Sequence, residues 1–536
     1  MLCAFFFRYD PWSEDFSGDS FVKTLDYIDL YYLSKYTVSN VLSTSSNINN
    51  NVAKITTLPN GVRVTTQNIP GHFSAVGVYV DTGSRYETEK NIGSTENRSE
   101  EKMIETMESL GSNIMCGSNR EAITYQSAIF PQDLSKVISL FADVIRNPLI
   151  SQNEVIEQQQ SILYEINEVN QKPDISLGEI LHIVGYKNNT LGNPILCPEE
   201  RLYQITPNLI KEFMSTWYVP ERIVVAAIGA DHDEVVDLVY KNFGDMKKST
   251  VDLSLENNNS LNLNTPPPST LPPTPIPSNY NKQPSLYKTI TTLASSFLKP
   301  KDPSSIPPSF QDQQQQQLSQ PLLIQKSHYT GGLGGVVEQS SDKTHVQLAF
   351  EGLSVHDPDI YALAILQSLL GGGGSFSAGG PDSGLFGIMA SCDSEYSSIL
   401  LEVLGQQFDT LTTFDGYNSI TNAELFRAKN QLKSNLLMSL ESRMVQLEDL
   451  GRQVQVFGKK IPIEEMCQKI DNLTLSDVIR VARRIIRGQV YNEGNGSGEV
   501  TLVFHDKKQL FDLPEVLKLC EKYGLGRYYG SNSKTN

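Results

Sequence analysis

The sequence predicts an α+β protein with two homologous tandem domains, each an antiparallel sheet with helices on one face, joined by a disordered linker. Three observations support this prediction. Two blocks of ordinary domain size repeat one order of strands and helices, a proline- and glutamine-rich segment separates them, and a hydrophobic fraction of 39% suffices for real cores. We assign 1–51 to an irregular amino-terminal segment, 52–248 to domain 1, 249–325 to the linker and 326–536 to domain 2.

The first block shows the order of elements that the second block repeats. β-branched and aromatic residues predict strands over residues 76–84 and 123–130. Apolar spacing then predicts a helix over 134–145 and a long amphipathic helix over 153–169. A further helix, a polar break and a strand at 223–228 close the block.

In the second block, strands are predicted over residues 345–353 and 385–391, followed by a helix over 398–411. Apolar residues from Leu425 to Val454 then recur at spacings of three, four or seven, which predicts one apolar stripe on long helices. A strand at 499–504 closes the block, so the two blocks are diverged copies of one unit.

The linker differs in composition from both blocks. Residues 251–321 contain 13 of the 27 prolines of the chain, a run of five glutamines and many Ser, Thr and Asn residues. Such a segment cannot bury enough apolar surface to offset its chain entropy. We therefore expect it to be a tether between the domains.

Charge and composition exclude several classes of protein. Lys and Arg total 44 against 61 Asp and Glu, a net charge of −17, which argues against a nucleic-acid partner. No apolar run is long enough to span a bilayer. The six cysteines are far apart in sequence, which favours a reducing compartment over a disulfide framework. The amino terminus has a short apolar run followed by many acidic residues, so it carries no clear targeting signal.

A glycine-rich segment at residues 371–380 is the sharpest local motif. It lacks the Lys-Ser/Thr pair of a phosphate-binding P-loop, and Ser377 stands where a dinucleotide motif needs its last glycine. Glycines let a backbone approach a ligand closely, whereas the alternative is a helix cap running into a flexible connector. The candidate binding residues are Gly371, Gly372, Gly373, Gly374, Ser375, Phe376, Ser377, Gly379 and Gly380.

No metal-binding or catalytic motif is found. The seven histidines lack the spacing that would place two imidazoles on one helical face, and no G-x-S-x-G sequence is present. Glu165 and Glu168 lie on a predicted helix without histidine partners, so we interpret them as solvated charges. The sequence therefore predicts no catalytic residue and no metal ligand in this chain.

Seven segments together resemble one family. They include DTGSRYE at 81–87, LGNPILCPEE at 191–200 and the glycine-rich segment, together with residues 109–126, 218–236, 329–332 and 427–454. These segments are similar to the α subunits of mitochondrial processing peptidases, non-catalytic members of the pitrilysin-like metallopeptidases. The resemblance spans about two-thirds of the chain.

The resemblance implies a function, partners and a location. In that family a β subunit holds zinc through an H-x-x-E-H motif, and the α subunit helps to recognise presequences through its glycine-rich loop. We therefore expect a heterodimer with a β subunit, presequence peptides as ligands, no cofactor on this chain, and the mitochondrial matrix as location. An association with the inner membrane is also expected.

Two departures from the family pattern leave alternatives open. An amphipathic helix is expected to be missing between Glu87 and Ser99, and a helix and a strand are expected to be missing after Pro381. One alternative function is a structural core subunit of the respiratory cytochrome bc complex. Another is a degenerate paralogue that does not fold alone.

Overall fold

The computed structural model describes residues 52–87, 111, 113–187, 189–249, 325–338, 342–371, 375–414, 419–507 and 513–527. The predicted amino-terminal segment (1–51) lies outside these residues, and so does the predicted linker apart from its two end residues. The predicted loss of a helix after Glu87 also concerns residues that the structure does not describe.

The first half contains six strands and six α-helices among its described residues. The strands are β1 (Lys54–Thr57), β2 (Arg63–Gln67), β3 (Ser74–Val80), β4 (Asn113–Ser118), β5 (Ile123–Ile129) and β6 (Ile223–Ile228). The helices are α1 (Leu134–Arg146), α2 (Gln152–Asn170), α3 (Pro173–Tyr186), α4 (Glu199–Leu202), α5 (Pro207–Trp217) and α6 (His232–Phe243).

The described part of the second half contains five strands and seven α-helices. The strands are β7 (Gly332–Val337), β8 (Lys343–Gly352), β9 (Ser375–Gly379), β10 (Gly384–Asp393) and β11 (Thr501–Asp506). The helices are α7 (Ile360–Leu369), α8 (Ser397–Thr412), α9 (Asn422–Ser439), α10 (Arg443–Phe457), α11 (Ile463–Asn472), α12 (Leu475–Ile486) and α13 (Leu513–Tyr523).

Corresponding strands occupy corresponding positions in the two sheets. The first sheet has the order β1-β2-β6-β3-β5-β4 and the second has the order β7-β11-β8-β10-β9. Helices α2 and α9, which correspond in the two halves, both begin with a capping box, formed by Ser151 with Glu154 and by Thr421 with Glu424. The prediction of two tandem α+β domains is therefore confirmed.

The sheets differ from the predicted antiparallel arrangement in one pair each. Strand β6 runs parallel to β2, and β11 runs parallel to β7, whereas the other pairs are antiparallel. The closing strand of each half returns after a long helical connection, which can bring it back in either direction. Each sheet is therefore mixed.

Strands β3 and β6 are buried on both faces, and every residue of each is buried. Alternate residues of β6, such as Val225, contact the core beneath helices of the first half. The intervening residues, such as Val224, pack on the opposite side against Leu447 and Leu450. Burial on both faces explains why these strands have no alternation of polar and apolar residues.

The second face of each sheet is covered by a helix from the opposite half. Helix α10 packs on the first sheet, where its Leu447, Leu450 and Val454 contact the cluster around Tyr79. Helix α3 packs on the second sheet, with Ile180 beside Val503. The sequence predicted helices on one face of each sheet only. Each half thus contributes one helix, α10 or α3, to the second face of the other half's sheet, and we call this the exchange of helices.

Both ends of α10 are held by arginines. At its amino terminus, Arg443 donates to the carbonyl oxygens of Ile69 and Pro70 at 2.9 and 2.7 Å. At its carboxyl terminus, Arg63 of β2 donates to the carbonyl of Val454 at 2.9 Å. The amide of Gly458 also donates to the Val454 carbonyl, and Arg63 donates in addition to the carbonyl of Gln455 at 3.3 Å. The last carbonyls of a helix lack partners within the helix, so Arg63 satisfies that of Gln455 with a favourably placed positive charge.

The apolar stripe from Leu425 to Val454 is divided between two helices. Helix α9 ends at Ser439 and α10 begins at Arg443. Leu425 packs in the core of the second half, whereas Leu447 packs on the sheet of the first half. The prediction of one continuous stripe is therefore wrong, because the apolar spacing persists across a break at which the chain passes from one core to another.

Candidate functional site

The glycine-rich segment connects helix α7 to the edge strand β9. Helix α7 ends at Leu369, and Gly371 follows with φ of +95°, a backbone conformation that favours glycine. Residues 372–374 lie outside the described part of the chain. Residues 375–379 form β9, whose backbone pairs antiparallel with β10 from Ser375 opposite Ile388 to Gly379 opposite Gly384. Among the nine predicted residues, the structure thus places Gly371 after helix α7, Ser375, Phe376, Ser377 and Gly379 in the edge strand β9, and Gly380 directly after it.

A tight turn at residues 380–383 follows β9. The amide of Gly380 donates to the carbonyl of Ser383 at 2.7 Å, and the amide of Val355 donates to the carbonyl of Gly380 at 3.0 Å. The Ser354 hydroxyl donates to the carbonyl of Pro381 at 2.5 Å. The turn is therefore fixed by the loop that follows β8.

Arg85 of the first half reaches this turn and binds it with both ends of its guanidinium. Nη1 and Nη2 donate to the two carboxylate oxygens of Asp382 at 3.2 and 2.9 Å. Nη1 also donates to Oε1 of Glu121 at 2.7 Å, and Nη2 donates to the Ser327 hydroxyl at 3.2 Å. The side chains of Arg85 and Asp382 are only 4% and 5% exposed, so this bidentate pair is buried.

The two carboxylates that share Arg85 differ in their pKa values. Burial raises the pKa of Glu121 to about 7, although Arg85 opposes this shift. Burial also disfavours the charge on Asp382, but hydrogen bonds from Arg85 and Ser327 hold its pKa below the ordinary value. One guanidinium therefore compensates one full negative charge, that of Asp382.

The chain enters the second half along the boundary between the halves. We call residues 325–331 the seam segment. The amide of Ser327 donates to Oδ2 of Asp382 at 2.7 Å. The side chain of Asn189 accepts from the amide of His328 at 3.1 Å and donates to its carbonyl at 3.0 Å. The seam segment is therefore bound to both halves.

The loop of the first half that binds the seam segment is strained. Lys187 and Thr190 have φ values of 34° and 33°, in a region that side-chain-bearing residues rarely adopt. The Thr190 hydroxyl donates to the Ser327 hydroxyl at 2.9 Å. Such strain persists because these surrounding contacts fix the backbone.

A second polar group lies behind the turn. Ser383 donates to Oε1 of Glu351 at 3.2 Å, and Asn492 donates to the same oxygen at 2.8 Å. Burial raises the pKa of Glu351, and its Oε2 has no hydrogen-bond partner among the described residues. Tyr186 of α3 donates to the carbonyl of Gly384 at 2.8 Å. These bonds join the turn to the exchanged helix α3.

The described residues contain no group of three or more His, Cys, Asp or Glu side chains that could hold a metal ion. The histidines have structural contacts instead. His232 lies between the hydroxyls of Thr56 and Thr66, each at 2.8 Å, and His182 stacks on the ring of Tyr186. Glu165 and Glu168 are not buried, and Glu168 lies 3.7 Å from the ammonium of Lys172.

Sequence reasoning missed Arg85, Glu121, Ser327 and Asp382 as one group. Arg85 and Asp382 are 297 residues apart, and no local pattern links them. Two signals were nevertheless present, because Arg85 lies in the DTGSRYE segment and Asp382 lies two residues after the glycine-rich segment.

The described fold agrees with the comparisons with known proteins. The pattern of the insulinase family, peptidase family M16, matches residues 63–199. The pattern of the peptidase M16 inactive domain matches residues 204–432.

Individual relatives show to which subfamily of these peptidases the chain belongs. The chain is 41% identical to mitochondrial-processing peptidase subunit alpha of Neurospora crassa over 502 residues, covering 84% of this chain and 86% of the relative. It is 35% identical to the probable mitochondrial-processing peptidase subunit alpha of Schizosaccharomyces pombe, with 88% of each chain covered. The human subunit alpha is 27% identical, with 81% of this chain and 80% of the relative covered. The chain belongs to the family of mitochondrial-processing peptidase α subunits, as its sequence motifs predicted.

Proposed function

We propose that this chain is the non-catalytic, substrate-recognising α subunit of a mitochondrial processing peptidase. It pairs with a β subunit that bears the zinc, and together they remove presequences from imported precursors in the mitochondrial matrix. The observation that supports this most is the family membership, together with the match to a domain described as inactive.

The position of the glycine-rich segment supports a role in binding peptide. Strand β9 lies at the edge of the second sheet, and an extended peptide can add to such an edge through backbone hydrogen bonds. The glycines before it reduce steric bulk where a peptide would approach. We propose that the nine candidate residues contact the presequence. In this proposal Phe376 packs against an apolar side chain of the presequence, and Ser375 and Ser377 donate hydrogen bonds to it.

Charge supports the same substrate class. The chain carries a net charge of −17, and presequences are basic. Opposite charges accelerate encounter and favour the correct partner. This contribution weakens with added salt, because salt screens exposed charges.

Substitutions in the glycine-rich segment test the proposal. Gly372→Ala and Gly374→Ala, or deletion of residues 371–380, should weaken the binding of a labelled presequence to the reconstituted heterodimer, measured by fluorescence anisotropy. Assembly with the β subunit and the melting temperature serve as controls. A cap with no binding role would lose about 1 kcal/mol of stability without a selective loss of affinity.

Gly178→Ala is a matched control. Gly178 lies in helix α3 with no atom within 4 Å of the position of an added Cβ, so this substitution adds a methyl group without a clash. Presequence affinity should remain at its wild-type value in this variant. Unchanged affinity in a deletion variant that still assembles would refute the role of the segment.

A further inference from the structure

We propose that Arg85 is a positioning residue for the glycine-rich segment, an inference that rests on the proposed function. Arg85 belongs to the first half, yet its guanidinium binds the turn at residues 380–383, which connects β9 to β10. The first half thereby sets where the carboxyl-terminal end of the segment lies. Arg85 itself acts through Asp382 and touches no substrate.

The geometry favours positioning because the contact is short, buried and close to the segment. Asp382 lies two residues after Gly380, and both of its carboxylate oxygens accept from Arg85. The Asp382 carboxylate also accepts from the amide of Ser327, so the turn and the seam segment share one anchor. A shift of either half would move the turn through this fixed pair.

A second contact joins the first half to the segment itself. A Cβ added to Gly380 would lie 2.4 Å from Oε1 of Glu121, the oxygen that also accepts from Arg85. Arg85 thus holds Glu121 against one side of Gly380 and Asp382 against the turn that follows. The carboxyl-terminal end of β9 is therefore held by the side chains of Glu121 and Asp382, both of which bind the guanidinium of Arg85.

A purely structural ion pair between the halves is the competing interpretation. It predicts a general loss of stability when Arg85 is replaced, with no local effect on the hairpin of β9 and β10. The positioning role predicts a local effect. Hydrogen exchange of the full chain separates these interpretations, because it reports local opening region by region.

The variants are Arg85→Lys and Asp382→Asn in the full chain. Lysine keeps the positive charge but cannot bind a carboxylate with a rigid planar fork. Asparagine keeps the shape of aspartate and removes its charge. We expect amides of residues 375–384 to exchange about tenfold faster in both variants. Amides of β1 and β2, which lie at the edge of the first sheet away from Glu121, should keep their wild-type rates.

Arg120→Gln is the matched control. Arg120 forms a largely buried ion pair with Glu179 at 2.9 Å, and among the described residues its side chain has no hydrogen bond or ion pair to residues 380–383. This variant should lower global stability without selective exchange at residues 375–384. If Arg85→Lys does not fold, Asp382→Asn decides the question alone, because it leaves Arg85 and its bond to Glu121 in place.

Presequence affinity of the reconstituted heterodimer is the second measurement. Arg85→Lys should raise the dissociation constant several-fold while assembly is retained. Unchanged exchange at residues 375–384 in folded variants would overturn the inference, as would faster exchange with unchanged affinity. If the wild-type heterodimer binds no presequence, the proposed function fails. The exchange data then still show whether Arg85 fixes the turn.

Discussion

Arg85 faces two carboxylates with a single positive charge. Asp382 receives two of its hydrogen bonds and Glu121 receives one. The better-bonded carboxylate keeps its charge, whereas burial raises the pKa of Glu121 to about 7. Glu121, whose side chain is 21% exposed, is therefore a half-buried group at the boundary between the halves, with a pKa near neutral pH.

Glu121→Gln tests this assignment through the pH dependence of stability. The pKa of Glu121 lies above its ordinary value of 4.5, so the protonated form is favoured by folding. Its stabilisation is complete below about pH 4.5 and is lost as the pH rises through about 7. Glutamine stays neutral throughout. We expect the variant to match the wild type near pH 5 and to be more stable by about 1–2 kcal/mol at pH 8.

The measurement is the difference in unfolding free energy between the two proteins from pH 5 to pH 8. Groups that titrate equally in both proteins cancel in this difference. A difference that does not change with pH would mean that Glu121 is ionised throughout the range. A variant less stable at pH 8 would show that the bond to Arg85 outweighs the burial of the charge.

The glycine-rich segment could be located from sequence at this scale, whereas its surroundings could not. A run of glycines is a local signal, and in the structure this run follows helix α7. The contact of Arg85 with Asp382 depends on how the two halves pack, and the sequence around either residue does not indicate that packing. Local pattern therefore located the segment, and only the packed structure showed what holds it.

At the scale of elements, helices α3 and α10 make the stability of each half depend on the other half. Each covers the sheet of the other half with a row of buried apolar residues. Helix α10 is also fixed at both ends by Arg443 and Arg63. These contacts make α10 part of the core of the first half although it belongs to the second half by sequence.

Leu450→Ala tests the role of α10. Leu450 is fully buried in the cluster that covers the first sheet. Removing its side chain should cost about 2–5 kcal/mol, because a cavity remains where three methylene-sized groups were packed. Chemical denaturation measures the loss, and hydrogen exchange should show it in β3 and β6 of the other half.

Leu437→Ala is the control for this substitution. Leu437 lies on the neighbouring helix α9 and is 51% exposed, so its loss should change stability by less than about 0.5 kcal/mol. Similar effects of the two substitutions would contradict the role of α10. Faster exchange confined to the second half would contradict it as well.

Several long strands and helices followed from the sequence, and the strand at residues 223–228 was predicted at its observed bounds, whereas short strands such as β1 and β9 were not predicted. A run of β-branched and apolar residues between polar segments carries that information locally. The division between α9 and α10 was missed because apolar spacing continues across residues 440–442. The spacing of apolar residues indicates which residues are buried, but it does not indicate whether they pack in the core of the first half or of the second half.

At the scale of the whole molecule, the described residues of the two halves form four apolar clusters, of which two cross the boundary. Sequence repetition predicted two domains of one design, and the common strand order supports it. The exchange of helices was not predicted, since it depends on contacts between residues several hundred positions apart. No helix within the described ranges is long and apolar enough to cross a membrane.

Separated halves provide a test at this scale. A fragment of residues 1–249 would expose the face of its sheet that α10 covers, including the fully buried Tyr79 and Val224. We expect this fragment alone to aggregate or to lack a cooperative thermal transition. Co-expression with residues 325–536 should yield a complex that purifies together and melts cooperatively. A stable, monomeric first half would contradict the interdependence of the halves.

The central claim is that this chain recognises presequences for a zinc-bearing partner. The most direct test purifies the tagged full chain from mitochondria, identifies its partners and assays presequence cleavage with the chain alone and with the partner. We predict a partner with an H-x-x-E-H motif, one zinc per complex, and cleavage only when both chains are present. Recovery only with cytochromes, or cleavage and one tightly held zinc in the isolated chain, would contradict the claim.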